Sequence, residues 1–155
     1  MKLRLLAVGQ KMPAWVTTGF QEYAKRLPGD CQLELVEIPP GHRGKNTPAV
    51  KAMEQEAEAL VRAIRPQDHL VALNVTGQSW STEKLSTELA EWRMSGQDIA
   101  LIIGGPDGIH PDLLKQAKQH WSLSPLTLPH PLVRVVVAEQ LYRAWTILKG
   151  HPYHK

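Results

Sequence analysis

Cysteine is almost absent from this 155-residue chain: Cys31 stands alone. That excludes an internal disulfide framework and any zinc ribbon built on paired thiols, and a reducing compartment is the simpler expectation. Long apolar runs are also missing. Leu3 to Val8 is interrupted by Arg4 and followed by Gly9 and Lys11, too short for a signal core or a membrane span, so a cytoplasmic protein without membrane attachment is expected. No G-x-G-x-x-G follows any strand-like run, which disfavours a dinucleotide enzyme of the usual type, and no G-x-S-x-G elbow supports covalent hydrolysis. Gly41-His42-Arg43-Gly44-Lys45-Asn46-Thr47 imitates a phosphate loop but fails it, because only two residues separate the glycines and Asn46 stands where a metal-binding hydroxyl belongs. His130, His151 and His154 lack an acidic or thiolate companion nearby, so no metal is expected.

Acidic residues are scarce at one end. Residues 115–155 carry six Lys/Arg against one Asp/Glu, and residues 1–45 carry seven against four, while residues 46–114 reverse the balance with five against ten. Basic ends around an acidic middle suit a phosphate-rich partner, although charge alone is equally compatible with an unevenly solvated surface.

An apolar fraction of 43% with 21% charged residues is ordinary for a globular protein, and residues 1–155 contain no linker or repeat that divides them. One domain is expected. Short strands are predicted at Leu3 to Val8, Leu33 to Ile38, His69 to Asn74, Asp98 to Ile103 and Trp121 to Ser124. Helical spacing links Val16, Phe20, Tyr23 and Leu27 after Pro13. A second stripe runs through Val50, Met53, Ala57, Leu60 and Ile64 until Arg65-Pro66, and a third through Leu85, Leu89 and Trp92 between the caps Ser81 and Gly96. A short helix is predicted from Pro111 and a long one over Leu132 to Lys149. Strands alternating with helices predict an α/β fold with a mostly parallel sheet flanked by helices. Ligands in such sheets sit beyond the carboxyl ends of the strands, here the loops after Asn74, Ile103 and Ser124. The long helix is apolar on more than one side, which favours burial against a second copy in a homodimer over a central position in a monomer.

Two segments carry chemistry. The buried run Ile99 to Ile103 enters Gly104-Gly105-Pro106-Asp107-Gly108, a turn where no side chain blocks a ligand such as adenosine. A tight reversal of the chain is the plainer reading of that segment alone. Ser124-Pro125-Leu126-Thr127-Leu128-Pro129-His130-Pro131 is stiffened by three prolines and is too apolar for ordinary surface, so it lines something.

Together with Ala138-Glu139-Gln140-Leu141-Tyr142-Arg143-Ala144 and the ending His151-Pro152-Tyr153-His154, these segments closely resemble the SPOUT family of ribosomal RNA methyltransferases, over the whole chain. The resemblance implies a SPOUT-type fold with a C-terminal trefoil knot and a homodimer. The cofactor it implies is S-adenosyl-L-methionine, and the reaction is methylation of N3 of a pseudouridine in 23S rRNA of the assembled 70S ribosome. Matched positions give a cofactor site of Leu73, Gly104, Gly105, Ser124, Pro125, Leu126, Thr127, Leu128 and Pro129. Tyr153, His154 and Arg143 are the catalytic candidates, and Arg43, Lys45 and Arg134 the RNA contacts. The rivals are a non-catalytic ribosome-binding factor, which has no need of the glycine turn, and a transfer RNA methyltransferase on the same fold.

Overall fold

The computed structural model describes residues 1–155. Five strands, β1 (Lys2–Val8), β2 (Gln32–Ile38), β3 (His69–Ser79), β4 (Ile99–Ile103) and β5 (Gln119–Ser122), alternate with helices α1 (Ala14–Ala24), α2 (Ala49–Ala63), α3 (Thr82–Ser95), α4 (Pro111–Leu114) and α5 (His130–Leu148). The strands form one sheet in the order β2-β1-β4-β3-β5, and every pair is parallel.

The side-chain alternation of a strand explains the layering. In β1, Leu3, Leu5 and Ala7 face a cluster with Phe20 of α1, Leu85, Leu89 and Trp92 of α3 and Val137, Leu141 and Ala144 of α5. Leu6 and Val8 face the opposite side, where Leu60 of α2 and Leu113 lie over Leu70, Ala72, Ala100 and Ile102. Two-sided cover also accounts for β4, in which all five residues are buried. Leu101 and Ile102 are wholly inaccessible, and burying each such side chain contributes about 1.5 to 3 kcal/mol. Cys31 is buried in the larger cluster, and burial pushes its thiol up to about 11. No helix is long and apolar enough to cross a membrane.

Local signals act where expected. Ser81 caps α3 by accepting from the Lys84 amide at 3.0 Å, and Gly96 closes it in the left-handed region at φ 73°. Three expectations need correcting. The buried stripe of α2 is Ala52, Glu56 and Leu60, whereas Val50, expected inside, is 49% exposed; the helix is rotated so that a carboxylate faces inward. The fifth strand is Gln119–Ser122, so Leu123 and Ser124 belong to the following loop. The third strand continues past Asn74 to Ser79 after a register jump between Leu73 and Gln78, both of which pair with Trp121. Residues 74–77 bulge out as a result, with Gly77 pressed so closely on the backbone of β5 that a Cβ there would lie 2.7 Å from His120.

Candidate functional site

The loops following β3, β4 and β5 meet the first turn of α5 around a cleft of about 260 Å³. Each wall has a local cause. The bulge after Leu73 brings Asn74 and Val75 to the rim. The glycine turn is closed on itself: the Gly108 amide donates to the Gly105 carbonyl at 2.9 Å, and a Cβ on Gly104 would lie 2.5 Å from the Gly108 backbone. After β5 the Ser122 hydroxyl donates to the Ser124 carbonyl at 3.1 Å, and the Leu126 amide donates to Ser124 Oγ at 3.0 Å. Pro129 then caps α5, its carbonyl accepting from the Val133 amide at 3.1 Å.

Of the expected cofactor residues, Leu73, Gly104, Gly105, Ser124, Leu126, Thr127 and Leu128 line the cleft. Pro125 and Pro129 belong to the same loop but are absent from the lining, and their effect is on its stiffness. Asn74, Val75, Ile109, Trp121, His130 and Val133 are among the further residues of the wall. His130 is legible as a pocket residue by its place in the proline loop and Asn74 by its place at a strand's carboxyl end, while Val75, Ile109, Trp121 and Val133 carry no sequence signal beyond being apolar. No Lys, Arg, Asp or Glu side chain lines the cleft, so it suits a ligand with a neutral, flat, largely apolar body. His130 Nδ1 is buried there without a partner. Burial, followed by the charge of Arg134, holds the imidazole below its ordinary pKa. A neutral imidazole with an unpaired nitrogen, bare backbone at the glycine turn and apolar sides fit a nucleoside such as the adenosine of S-adenosylmethionine.

Gly105 has a second reason to be glycine besides its place in the cleft wall. A Cβ at that position would lie 2.8 Å from both carboxylate oxygens of Glu56, so its missing side chain makes room for a buried carboxylate beneath the turn.

Two expected RNA contacts are engaged inside the protein. Arg134 is 1% exposed; it donates to Glu37 Oε2 at 2.8 Å and to the Gly9 carbonyl at 3.0 Å. Far from meeting phosphate, it fastens the start of α5 to the ends of β1 and β2. Arg43 is held by Glu56, with Nη1 to Oε2 at 2.7 Å, and by Asp107, with Nε to Oδ2 at 3.1 Å. Lys45 is exposed and free of ion pairs. No three His, Cys, Asp or Glu side chains are grouped to hold a metal ion.

Arg143, Tyr153 and His154 gather at the other end of α5. The Tyr153 ring meets Tyr142 edge-on at 4.7 Å, and the Arg143 guanidinium lies 5.0 Å from the Tyr153 centroid. Arg143 Nε also pairs with Glu139 Oε1 at 2.6 Å. Burial, then the nearby Glu139 charge, raises the Tyr153 hydroxyl above its ordinary pKa. From His130 to Arg143 the helix advances thirteen residues, roughly 20 Å at 1.5 Å per residue. The structure therefore unites the three catalytic candidates with each other and separates them from the cleft of their own chain.

A parallel α/β sheet with a ligand cleft built from three carboxyl-end loops and a helix start defines a class. A family model described as "Predicted SPOUT methyltransferase" matches residues 1–154, and the chain belongs to that family. The chain is similar over its full length to proteins named ribosomal RNA large subunit methyltransferase H. That of Chromohalobacter salexigens is 57% identical over 155 residues, covering 100% of each chain, and that of Pseudomonas putida strain KT2440 is 55% identical with the same coverage. Among solved structures, TrmJ from Z. mobilis ZM4 superposes with a TM-score of 0.56 at 14% identity, covering 92% of this chain and 70% of that one. A methylase family protein from Neisseria gonorrhoeae gives 0.55 at 12% identity, covering 90% and 81%; at such identities the likeness is one of fold.

Proposed function

We propose that this protein is an S-adenosylmethionine-dependent methyltransferase of the cytoplasm that methylates N3 of a pseudouridine in 23S rRNA of the assembled ribosome. It acts as a homodimer, and the knotted path implied by the resemblance to SPOUT methyltransferases belongs to the same reading. The observation that carries the proposal is the neutral cleft formed by the glycine turn and the Ser124 to Pro129 loop, in a chain whose full-length relatives bear the name of a large-subunit rRNA methyltransferase.

Leu73, Gly104, Gly105 and the 124–129 loop would hold the donor, which when bound supplies an activated methyl group on a sulfonium. The chain contributes position above all: holding that carbon in line with the nucleophilic nitrogen is worth roughly 7 to 11 kcal/mol in well-oriented reactions. The imide must also lose its N3 proton. A Tyr153 hydroxyl with a raised pKa stays protonated at neutral pH, so it donates to the base and orients it. His154 Nδ1, buried without a partner, is the better proton acceptor. Since the tail lies roughly 20 Å along α5 from the cleft of its own chain, the tail of one protomer serves the cleft of the other. Arg143 and Lys45 meet RNA at the junction.

The test is transfer of radiolabelled methyl from S-adenosylmethionine to 70S ribosomes, 50S subunits, free rRNA and transfer RNA from a strain lacking the protein. Label confined to large-subunit rRNA of 70S particles is expected. Label in transfer RNA moves the substrate, and no label despite donor binding favours a ribosome-binding factor.

A further inference from the structure

Behind the cleft lies a joint that this chemistry leaves unused. Glu56 projects from α2 into the interior and is 2% exposed. A buried carboxylate is costly unless it is fully paired, and its partners come from one segment: the Gly41 amide at 2.9 Å, and Arg43 through Nη1 at 2.7 Å and Nη2 at 3.3 Å. Arg43 reaches across to the glycine turn as well, donating from Nε to Asp107 Oδ2 at 3.1 Å. The start of the 41–47 loop is pressed onto α2 beneath this clasp, because a Cβ on Gly41 would lie 2.3 Å from the Ala52 carbonyl oxygen. On the other side the carboxylate fills the space beside Gly105, a wall of the cleft. One guanidinium therefore joins the basic loop, the helix α2 and the glycine turn, whose own closure is the single Gly108 to Gly105 hydrogen bond.

We propose that Arg43 and Glu56 are positioning residues that hold the glycine turn in its donor-binding geometry and couple it to the 41–47 loop. The inference rests on the cleft being the donor site. Removing Arg43 leaves the Glu56 carboxylate with the Gly41 amide alone. The relief available to it, a shift of α2 or entry of water, displaces atoms already packed against Gly105. Coupling is reciprocal: whatever draws the loop and Arg43 away loosens the turn, and a donor that fixes the turn fixes the loop.

The experiment is steady-state kinetics of the full-length protein on ribosomes lacking the modification, with S-adenosylmethionine and ribosome concentrations varied separately. Arg43→Ala is expected to raise the donor KM about tenfold, with kcat at saturating donor falling far less and the ribosome KM unchanged. Arg43→Lys recovers part of the effect, having charge without the fork that spans two carboxylates. Asp107→Asn, at the surface and safe for folding, gives a smaller rise in the same constant. An unchanged donor KM in Arg43→Ala and Asp107→Asn, beside an active wild type, overturns the inference. So does a rise in ribosome KM alone, which would make Arg43 an RNA contact. A wild type that neither transfers methyl nor binds S-adenosylmethionine overturns the reading of the cleft itself.

Discussion

Replacing Glu37 by alanine is expected to harm the protein more than replacing Arg134 by methionine, although Arg134 is the buried member of the pair, with side-chain exposures of 1% and 40%. Loss of Glu37 strands a cation in the interior with one carbonyl acceptor, Gly9, and an Nε that has no partner. Deleting one member of a buried ion pair costs about 3 to 5 kcal/mol. Water reaching the vacated Glu37 position, which is already two-fifths open, reduces this to about 2 to 3 kcal/mol. Methionine at 134 keeps much of the hydrocarbon, releases Glu37 to solvent and leaves only the Gly9 carbonyl unpaired, about 1 to 2 kcal/mol. The difference is about 1 kcal/mol; with a urea slope of about 2 kcal/mol/M for a chain of this size, the Glu37→Ala midpoint falls about 0.5 M below that of Arg134→Met at equal slopes. Urea titration followed by tryptophan fluorescence and circular dichroism decides it. An Arg134→Met midpoint at or below that of Glu37→Ala refutes the claim that desolvation of the unpaired guanidinium dominates this site.

Gly104→Ala forces a Cβ to within 2.5 Å of the Gly108 backbone; overpacking of about 1 to 3 kcal/mol opens the turn and weakens donor binding roughly 5- to 150-fold, measured by calorimetry with folding checked by circular dichroism. Removal of residues 151–155 lowers turnover far more than donor affinity, and an unchanged rate would take the tail out of the chemistry. His130 supplies a pH dependence. Its folded pKa lies below the ordinary 6.5, so as pH falls the unfolded chain takes the proton first, and stability declines from about 6.5 down to the folded pKa, where the decline ends. His130→Gln should be less sensitive to acid between pH 7.5 and 5.5 than the parent protein in urea titrations, and equal slopes would show that other groups govern that range.

The division between what the sequence reveals and what it hides follows interaction range. Ser81 and Gly96 are legible because a cap is settled within four residues, and the glycine turn because its closure is internal. The 74–77 bulge depends on Trp121 pairing twice, and its one local mark is Gly77, a glycine inside a strand that signals a close backbone approach without saying to which residue. Arg134 and Arg43 look like phosphate ligands because they are basic and lie in or beside loops. Glu37 stands 97 residues from Arg134, and of the two partners of Arg43 one, Asp107, stands 64 residues away, while Glu56 is only 13 away. Glu56 sits among Glu54 and Glu58 and resembles them; its only signal is the four-residue spacing Ala52, Glu56, Leu60 on one face of α2. The homodimer expected from the sequence rests only on surplus apolar surface on α5.

The separation along α5 has a genetic corollary. If each cleft borrows the tail of the opposite protomer, a dimer of one normal chain and one defective only in the cleft, or only in the tail, keeps one working centre. A chain defective in both poisons both centres of any mixed dimer, since its normal partner's cleft receives a dead tail and its tail serves a dead cleft. Two individually recessive lesions thus become dominant when they lie on the same allele, and complement one another when they lie on different ones.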